Sequence, residues 1–114
     1  MQQNVFLRPL MPISAIIITY NEARNIARCI NALTGVADEV IVVDSYSKDN
    51  TVAIAEELGA RVIQHAFEGY GEQKIVALKE TQHDWILSVD ADEELSPALR
   101  QSILAVKDAP EHDA

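Results

Sequence analysis

Apolar and polar positions alternate in blocks along the chain, and the blocks change period. Ile13-Ser14-Ala15-Ile16-Ile17-Ile18-Thr19 is a short β-branched run, as a strand buried on both faces requires. Ile26, Cys29, Ile30 and Leu33 follow at i, i+3, i+4, i+7, the spacing of one helical face, with Gly35 placed as a C-cap. The second strand is Val40-Ile41-Val42-Val43, ending at Asp44. The polar loop Ser45-Tyr46-Ser47-Lys48-Asp49-Asn50 offers side chains that cap a second helix over 51–58, stopped by Gly59. Arg61-Val62-Ile63-Gln64 reads as a short third strand, and a looser stretch with Gly69 and Gly71 leads to a third helix over 72–81. Trp85-Ile86-Leu87-Ser88-Val89 is the fourth strand, with Trp85 expected in packing. Ser96-Pro97 marks N-cap and N1 of a last helix with Leu99, Ile103 and Val106 on its apolar stripe.

Four strand–helix units predict an α/β fold, a Rossmann-like parallel sheet with helices on both faces. Right-handed crossovers predict strand order 3-2-1-4, with the reversal between the first and fourth strands. Residues 13–107 form this domain, 1–12 an irregular lead-in and 108–114 a frayed tail. Open sheets of this kind bind ligands at the carboxyl ends of their strands, near the reversal. The site is therefore expected just after Thr19, Val43 and Val89.

Those three ends carry Thr19-Tyr20-Asn21-Glu22, Asp44-Ser45 and Asp90-Ala91-Asp92-Glu93-Glu94. No G-x-G-x-x-G follows the first strand, and no G-x-x-x-x-G-K-[ST] occurs, so neither a dinucleotide fingerprint nor a P-loop is present. Negative charge is the physical problem here. Asp44, Asp90 and Asp92 repel one another and any phosphorylated ligand. A divalent cation, Mg²⁺ or Mn²⁺, resolves both conflicts by bridging carboxylates and diphosphate. Asp-x-Asp alone is a common accident, and a solvated acidic turn ahead of a helix explains it equally well. Its place straight after a predicted strand is what favours the metal.

Charge and cysteine count narrow the classes further. With 9 Lys+Arg against 18 Asp+Glu the formal net charge is −9, which disfavours non-specific nucleic-acid binding. A single cysteine, Cys29, excludes an intrachain disulfide and sits on the apolar stripe as a core residue. His65, His83 and His112 lack ligand spacing. No apolar run approaches the roughly 20 residues of a membrane span, and the N-terminus does not read as a signal peptide, so a soluble cytoplasmic location is expected.

Taken in order, Ile16-Ile17-Ile18-Thr19-Tyr20-Asn21-Glu22, Val42-Val43-Asp44-Ser45-x-Ser47-x-Asp49-x-Thr51 and Trp85-Ile86-Leu87-Ser88-Val89-Asp90-Ala91-Asp92-Glu93 resemble the nucleotide-sugar half of family 2 glycosyltransferases. Within that family the resemblance is to small enzymes that add sugars to the lipopolysaccharide core, and it covers about 13–95. It implies a GT-A fold, a nucleoside diphosphate sugar donor (usually a UDP-sugar), a divalent metal, and a glycan or lipid-linked acceptor. Carried over by position, Tyr20 packs on the base, Asn21 and Glu22 lie beside the nucleoside, and Asp44 accepts from the base ring N–H. Asp90 and Asp92 are the metal and diphosphate pair, and Lys74 is a partner for base or phosphate. Simpler readings stand beside these. Tyr20 is then a sheet-end aromatic, Asn21 a helix N-cap, Glu22 a complement to a helix N-terminus, Asp44 a turn residue and Lys74 a solvated lysine.

The chain departs from the family pattern at Tyr46, often Gly, and at Ile75, commonly Asn in the lipopolysaccharide type. Family members also have a second half of about 100 or more residues that carries acceptor contacts and the general base an inverting transfer needs. Glu93 and Glu94 are candidates for that base by proximity only. The resemblance thus implies a donor-binding part of an inverting transferase, working at the inner face of the cytoplasmic membrane. The alternatives are a non-catalytic nucleotide-sugar-binding or interaction module and, less well matched, a nucleotidyltransferase. A missing half leaves an open sheet edge or apolar patch that favours association into oligomers.

Overall fold

A computed structural model describes residues 11–107. The tail expected over 108–114 and most of the expected lead-in lie outside the described residues. The elements run β1 (Ile13–Thr19), α1 (Ile26–Asn31), β2 (Glu39–Asp44), α2 (Thr51–Glu57), β3 (Arg61–Gln64), α3 (Tyr70–Glu80), β4 (Trp85–Asp90) and α4 (Pro97–Lys107). All strand pairings are parallel, and the sheet order is β3-β2-β1-β4, as the alternation predicts.

Period-two alternation sorts the side chains of the sheet into two cores. Ala15, Ile17, Val42 and Val89 face α1 and α2, meeting Ile26, Cys29, Ile30, Leu33 and Ala55, with Ile103 and Leu104 of α4 beside them. Ile16, Ile41 and Val43 face the other way onto α3, where Ala77 is buried and Val76 packs at the margin. Three helices therefore cover one face and one covers the other.

Several expectations need correction. α1 ends at Asn31 with Ala32 as its C-cap, so Gly35 does not cap it. Gly35 instead sits in the following turn at φ +82, where a Cβ would also lie 3.1 Å from Arg100 Nη2. α3 begins at Tyr70, two residues early, because Gly69 at φ +123 turns the chain into the helix. α2 stops one residue short of Leu58, its C-cap. Trp85 is not packed: it is 54% exposed, because β4 is an edge strand among the described residues. Leu99 and Val106 are exposed too, while Ile103 and Leu104 of α4 pack on the core.

Ser96 does cap α4, its hydroxyl accepting from the Leu99 N–H at 3.1 Å. At the other end of α4, Lys107 is buried and donates to Asp38 Oδ2 (2.5 Å) and to the Met11 carbonyl (2.9 Å). Asp38 also accepts from the Ile13 N–H at 2.7 Å. Desolvation pushes this carboxyl up, but the Lys107 and Ile13 hydrogen bonds and the lysine charge outweigh it and hold it below its ordinary value. This cluster clamps α4 to the amino-terminal edge of the sheet, opposite the expected site.

Candidate functional site

Register aligns the carboxyl rim. Thr19 is level with Asp44, and Ile18 is level with Asp90. Above this rim opens a cleft of about 900 Å³. Tyr20 and Glu22 after β1, Ser45 and Tyr46 after β2, Phe67, Tyr70 and Lys74 around the start of α3, and Asp90 and Asp92 at the end of β4 all line it. Of the seven residues singled out from the sequence, five thus share one cavity; Asn21 and Asp44 do not line it.

Asp44 is fully buried just beneath. Its Oδ1 accepts from the hydroxyls of Thr19 (2.6 Å) and Ser47 (2.5 Å), and its Oδ2 accepts from the Ser47 N–H (2.8 Å). A buried carboxylate is tolerable only with such donors around it. Asn21, at φ +53, joins the same assembly. Its N–H donates to Ser47 Oγ (2.7 Å), and its Oδ1 accepts from the Lys48 N–H (2.8 Å). It does not cap α1, whose N-cap is Asn25.

The alternate positions of Ser45-x-Ser47-x-Asp49-x-Thr51 explain themselves here. Thr51 Oγ1 accepts from the Glu22 N–H (2.8 Å) and donates to Asp49 Oδ1 (2.5 Å). Asp49 also receives the N–H groups of Ala23 (3.2 Å) and Thr51 (3.0 Å). The Thr51 hydroxyl is the first cause that holds its carboxyl below the usual range. Side chains thus clasp the β1 loop to the β2 loop across 26 to 29 residues of sequence. Tyr46 sits within this loop at φ +56 with its amide on Gln64 Oε1 (2.8 Å). A left-handed backbone strains any residue but glycine, and that is the physical sense of the family's frequent Gly at this position.

On the far wall, Gln73 is fully buried at the base of α3. It donates to Ser45 Oγ (3.0 Å) and to the His65 carbonyl (3.1 Å), and its Oε1 lies 2.6 Å from His65 Nδ1. An amide oxygen only accepts, so His65 Nδ1 is the donor in this contact. Gln73 therefore ties α3, and the neighbouring Lys74 that lines the cleft, to the ends of β2 and β3. Sequence reasoning did not single out Tyr46, Phe67 and Tyr70 as site residues. The rings of Phe67 and Tyr70 meet edge to face with centroids 5.1 Å apart. Their signal was two aromatics, Phe67 and Tyr70, on either side of Gly69 just ahead of the predicted helix.

The acidic turn hangs from β4. The Glu93 N–H donates to the Asp90 carbonyl (3.0 Å), Ala91 and Leu95 are buried in the core, and Asp92 and Glu94 stay exposed between them. Cys29 lies below, its thiol 3.6 Å from the Asp90 carbonyl. Burial first, then Glu93, pushes that thiol up to about 11. No group of three or more His, Cys, Asp or Glu suited to a metal ion occurs among the described residues. Two carboxylates at an open cleft still fit Mg²⁺ or Mn²⁺, hard ions that complete their shells with water and phosphate oxygens.

A parallel 3-2-1-4 sheet with a cleft at its carboxyl rim and an acidic pair at the end of β4 is the architecture of a GT-A nucleotide-binding domain. The chain belongs to glycosyl transferase family 2, whose family model matches residues 14–114. An uncharacterized glycosyltransferase of Rickettsia felis is 58% identical over 91 residues, covering 80% of this chain and 32% of that protein. The lipopolysaccharide core biosynthesis glycosyltransferase LpsC of Rhizobium meliloti is 36% identical over 108 residues, covering 88% of this chain and 40% of that one. The chain thus spans about a third of the length of the first curated relatives it matches.

Among solved structures, mannosyl-3-phosphoglycerate synthase of Rubrobacter xylanophilus superposes with a TM-score of 0.72 at 27% identity, covering 88% of this chain and 37% of that one. Glucosyl-3-phosphoglycerate synthase of Mycobacterium tuberculosis, crystallised with Mn²⁺, UDP and glucosyl-3-phosphoglycerate, superposes at 0.65 with 27% identity over 75% of this chain and 36% of that one. No helix among the described residues is long and apolar enough to cross a membrane.

Proposed function

We propose that this chain is the donor-binding part of a metal-dependent, inverting glycosyltransferase. It moves a sugar from a nucleoside diphosphate sugar, a UDP-sugar, to a glycan or lipid-linked acceptor on the cytoplasmic side of the membrane. The supporting observation is the convergence of Tyr20, Lys74, Asp90 and Asp92 on one cleft. UDP and Mn²⁺ in a structural relative, and lipopolysaccharide core biosynthesis in the name of a sequence relative, support the donor and the acceptor class.

In this reading the base lies on the Tyr20 ring, and the Lys74 ammonium offsets phosphate charge. Glu22 and the clasped Asn21 loop border the nucleoside. Asp44 receives the base ring N–H on Oδ2, which holds a single donor in this conformation. That contact needs the Tyr46 loop to shift, since the carboxylate is covered. Asp90 and Asp92 hold Mg²⁺ or Mn²⁺, which supplies Lewis-acid neutralisation of the departing diphosphate. Neither Glu93 nor Glu94 lines the cleft, and Glu94 is paired with Arg28 at 3.5 Å, so the base that takes the acceptor proton is assigned to neither.

Titration of UDP with and without Mn²⁺, in the wild type and in Asp92→Ala, tests this. Metal-dependent affinity is expected to disappear in the variant; equal metal dependence in both proteins would refute the assignment.

A further inference from the structure

Arg28 stands on the exposed side of α1, outside the cleft, yet it reaches the acidic turn. Its Nη2 donates to the Asp92 carbonyl (3.4 Å), and its Nε pairs with Glu94 Oε1 (3.5 Å). The same Nη2 donates to Asn25 Oδ1 (3.3 Å), and Asn25 Nδ2 donates in turn to Glu22 Oε1 (3.1 Å). A chain of contacts therefore runs from Glu22, which lines the cleft, through Asn25 and Arg28 to the backbone of Asp92, which also lines it. Among the described residues, Arg28 is the cation paired with this turn. The planar fork of a guanidinium suits the task, since it addresses a carbonyl and a carboxylate at once.

We propose that Arg28 is a positioning residue for the Asp90–Asp92 pair: it fixes the turn so that the Asp92 carboxylate stays aimed into the cleft, and it holds Glu94 aside. The inference rests on the metal role proposed for that pair. It makes a prediction opposite in sign to simple electrostatics. Removing a positive charge beside a cation site should strengthen cation binding by Coulomb's law. Removing a group that orients a ligand should weaken it, by about tenfold for an outer-shell partner.

The test uses Arg28→Met, which keeps the length of the apolar stem, and Arg28→Lys, which keeps the charge without the fork. Bound Mn²⁺ is followed by loss of the free-ion electron paramagnetic resonance signal, with UDP present. UDP affinity is measured separately in EDTA, and thermal melts check the fold. Arg28→Met is expected to weaken Mn²⁺ binding about tenfold, with UDP affinity in EDTA unchanged and partial recovery in Arg28→Lys. Unchanged or tighter Mn²⁺ binding overturns the inference. An equal loss with and without metal also overturns it, since that is general damage to the fold. The wild type is read first. If it binds no Mn²⁺ with UDP, the functional reading itself fails, independently of any Arg28 variant.

Discussion

Replacing Asp44 by alanine strips the loop clasp of its central acceptor. Three donors then lose their partner: the Thr19 hydroxyl, the Ser47 hydroxyl and the Ser47 N–H. Hydrogen bonds to a charged group contribute about 1.5–3 kcal/mol each, so a plain sum would be about 4.5–9 kcal/mol. That sum is too large. The mutation also removes a carboxylate that was costly to bury, and both hydroxyls rotate to other partners. The Ser47 N–H cannot rotate, and it remains in a closed site at roughly 1–3 kcal/mol. A net loss of about 3 kcal/mol follows, equivalent to about 15 °C in a chain of this size.

Asp44→Asn serves as the control. Its amide oxygen can accept the Ser47 N–H while its NH₂ donates to the two hydroxyl oxygens, so a loss of only about 1 kcal/mol is expected. Urea unfolding followed by circular dichroism measures both variants. If Asp44→Ala unfolds within about 0.5 kcal/mol of the wild type, the carboxylate does not organise the rim and the reasoning is wrong. The same Asn variant separates clasp from contact. It is expected to weaken UDP binding despite its near-normal stability, because the neutral amide oxygen that takes the Oδ2 position accepts the base N–H less strongly than a carboxylate does. Full UDP affinity in Asp44→Asn would limit Asp44 to the clasp.

Other predictions are quickly stated. Asp38 is held below its ordinary value in the folded chain, so its pairing stabilises the fold above about pH 4, the unfolded value, and that contribution fades as pH falls through the lower folded value. Lys107→Met should cost about 2 kcal/mol at pH 7, less than a fully buried pair because Asp38 keeps part of its surface in water; acid urea melts should show its stability flatter than the wild type's below pH 4. Cys29, buried and protonated well above neutral pH, should react with a thiol reagent at pH 8 only as fast as the chain opens, and stoichiometric labelling within seconds in native buffer would contradict its placement.

Sequence alone determined the order of the elements, the parallel 3-2-1-4 sheet and the rim on which Tyr20, Glu22, Asp90 and Asp92 meet. Those follow from local hydrophobic period and from the handedness of crossovers, both of which are written in neighbouring residues. Only the tertiary structure decided what each rim residue touches. Asp44 lies at the rim but under cover, because Thr19 at the end of β1 and Ser47 in the loop after β2 close over it. Asn21 clasps a loop where a helix cap was an equally good reading. Phe67 and Tyr70 enter the cleft because Gly69 turns α3 early. Trp85 faces solvent because β4 is an edge strand among the described residues. Arg28 meets a turn 64 residues away. Such contacts join segments distant in the chain, and periodicity carries no information about which side chains the folded chain brings within hydrogen-bonding distance.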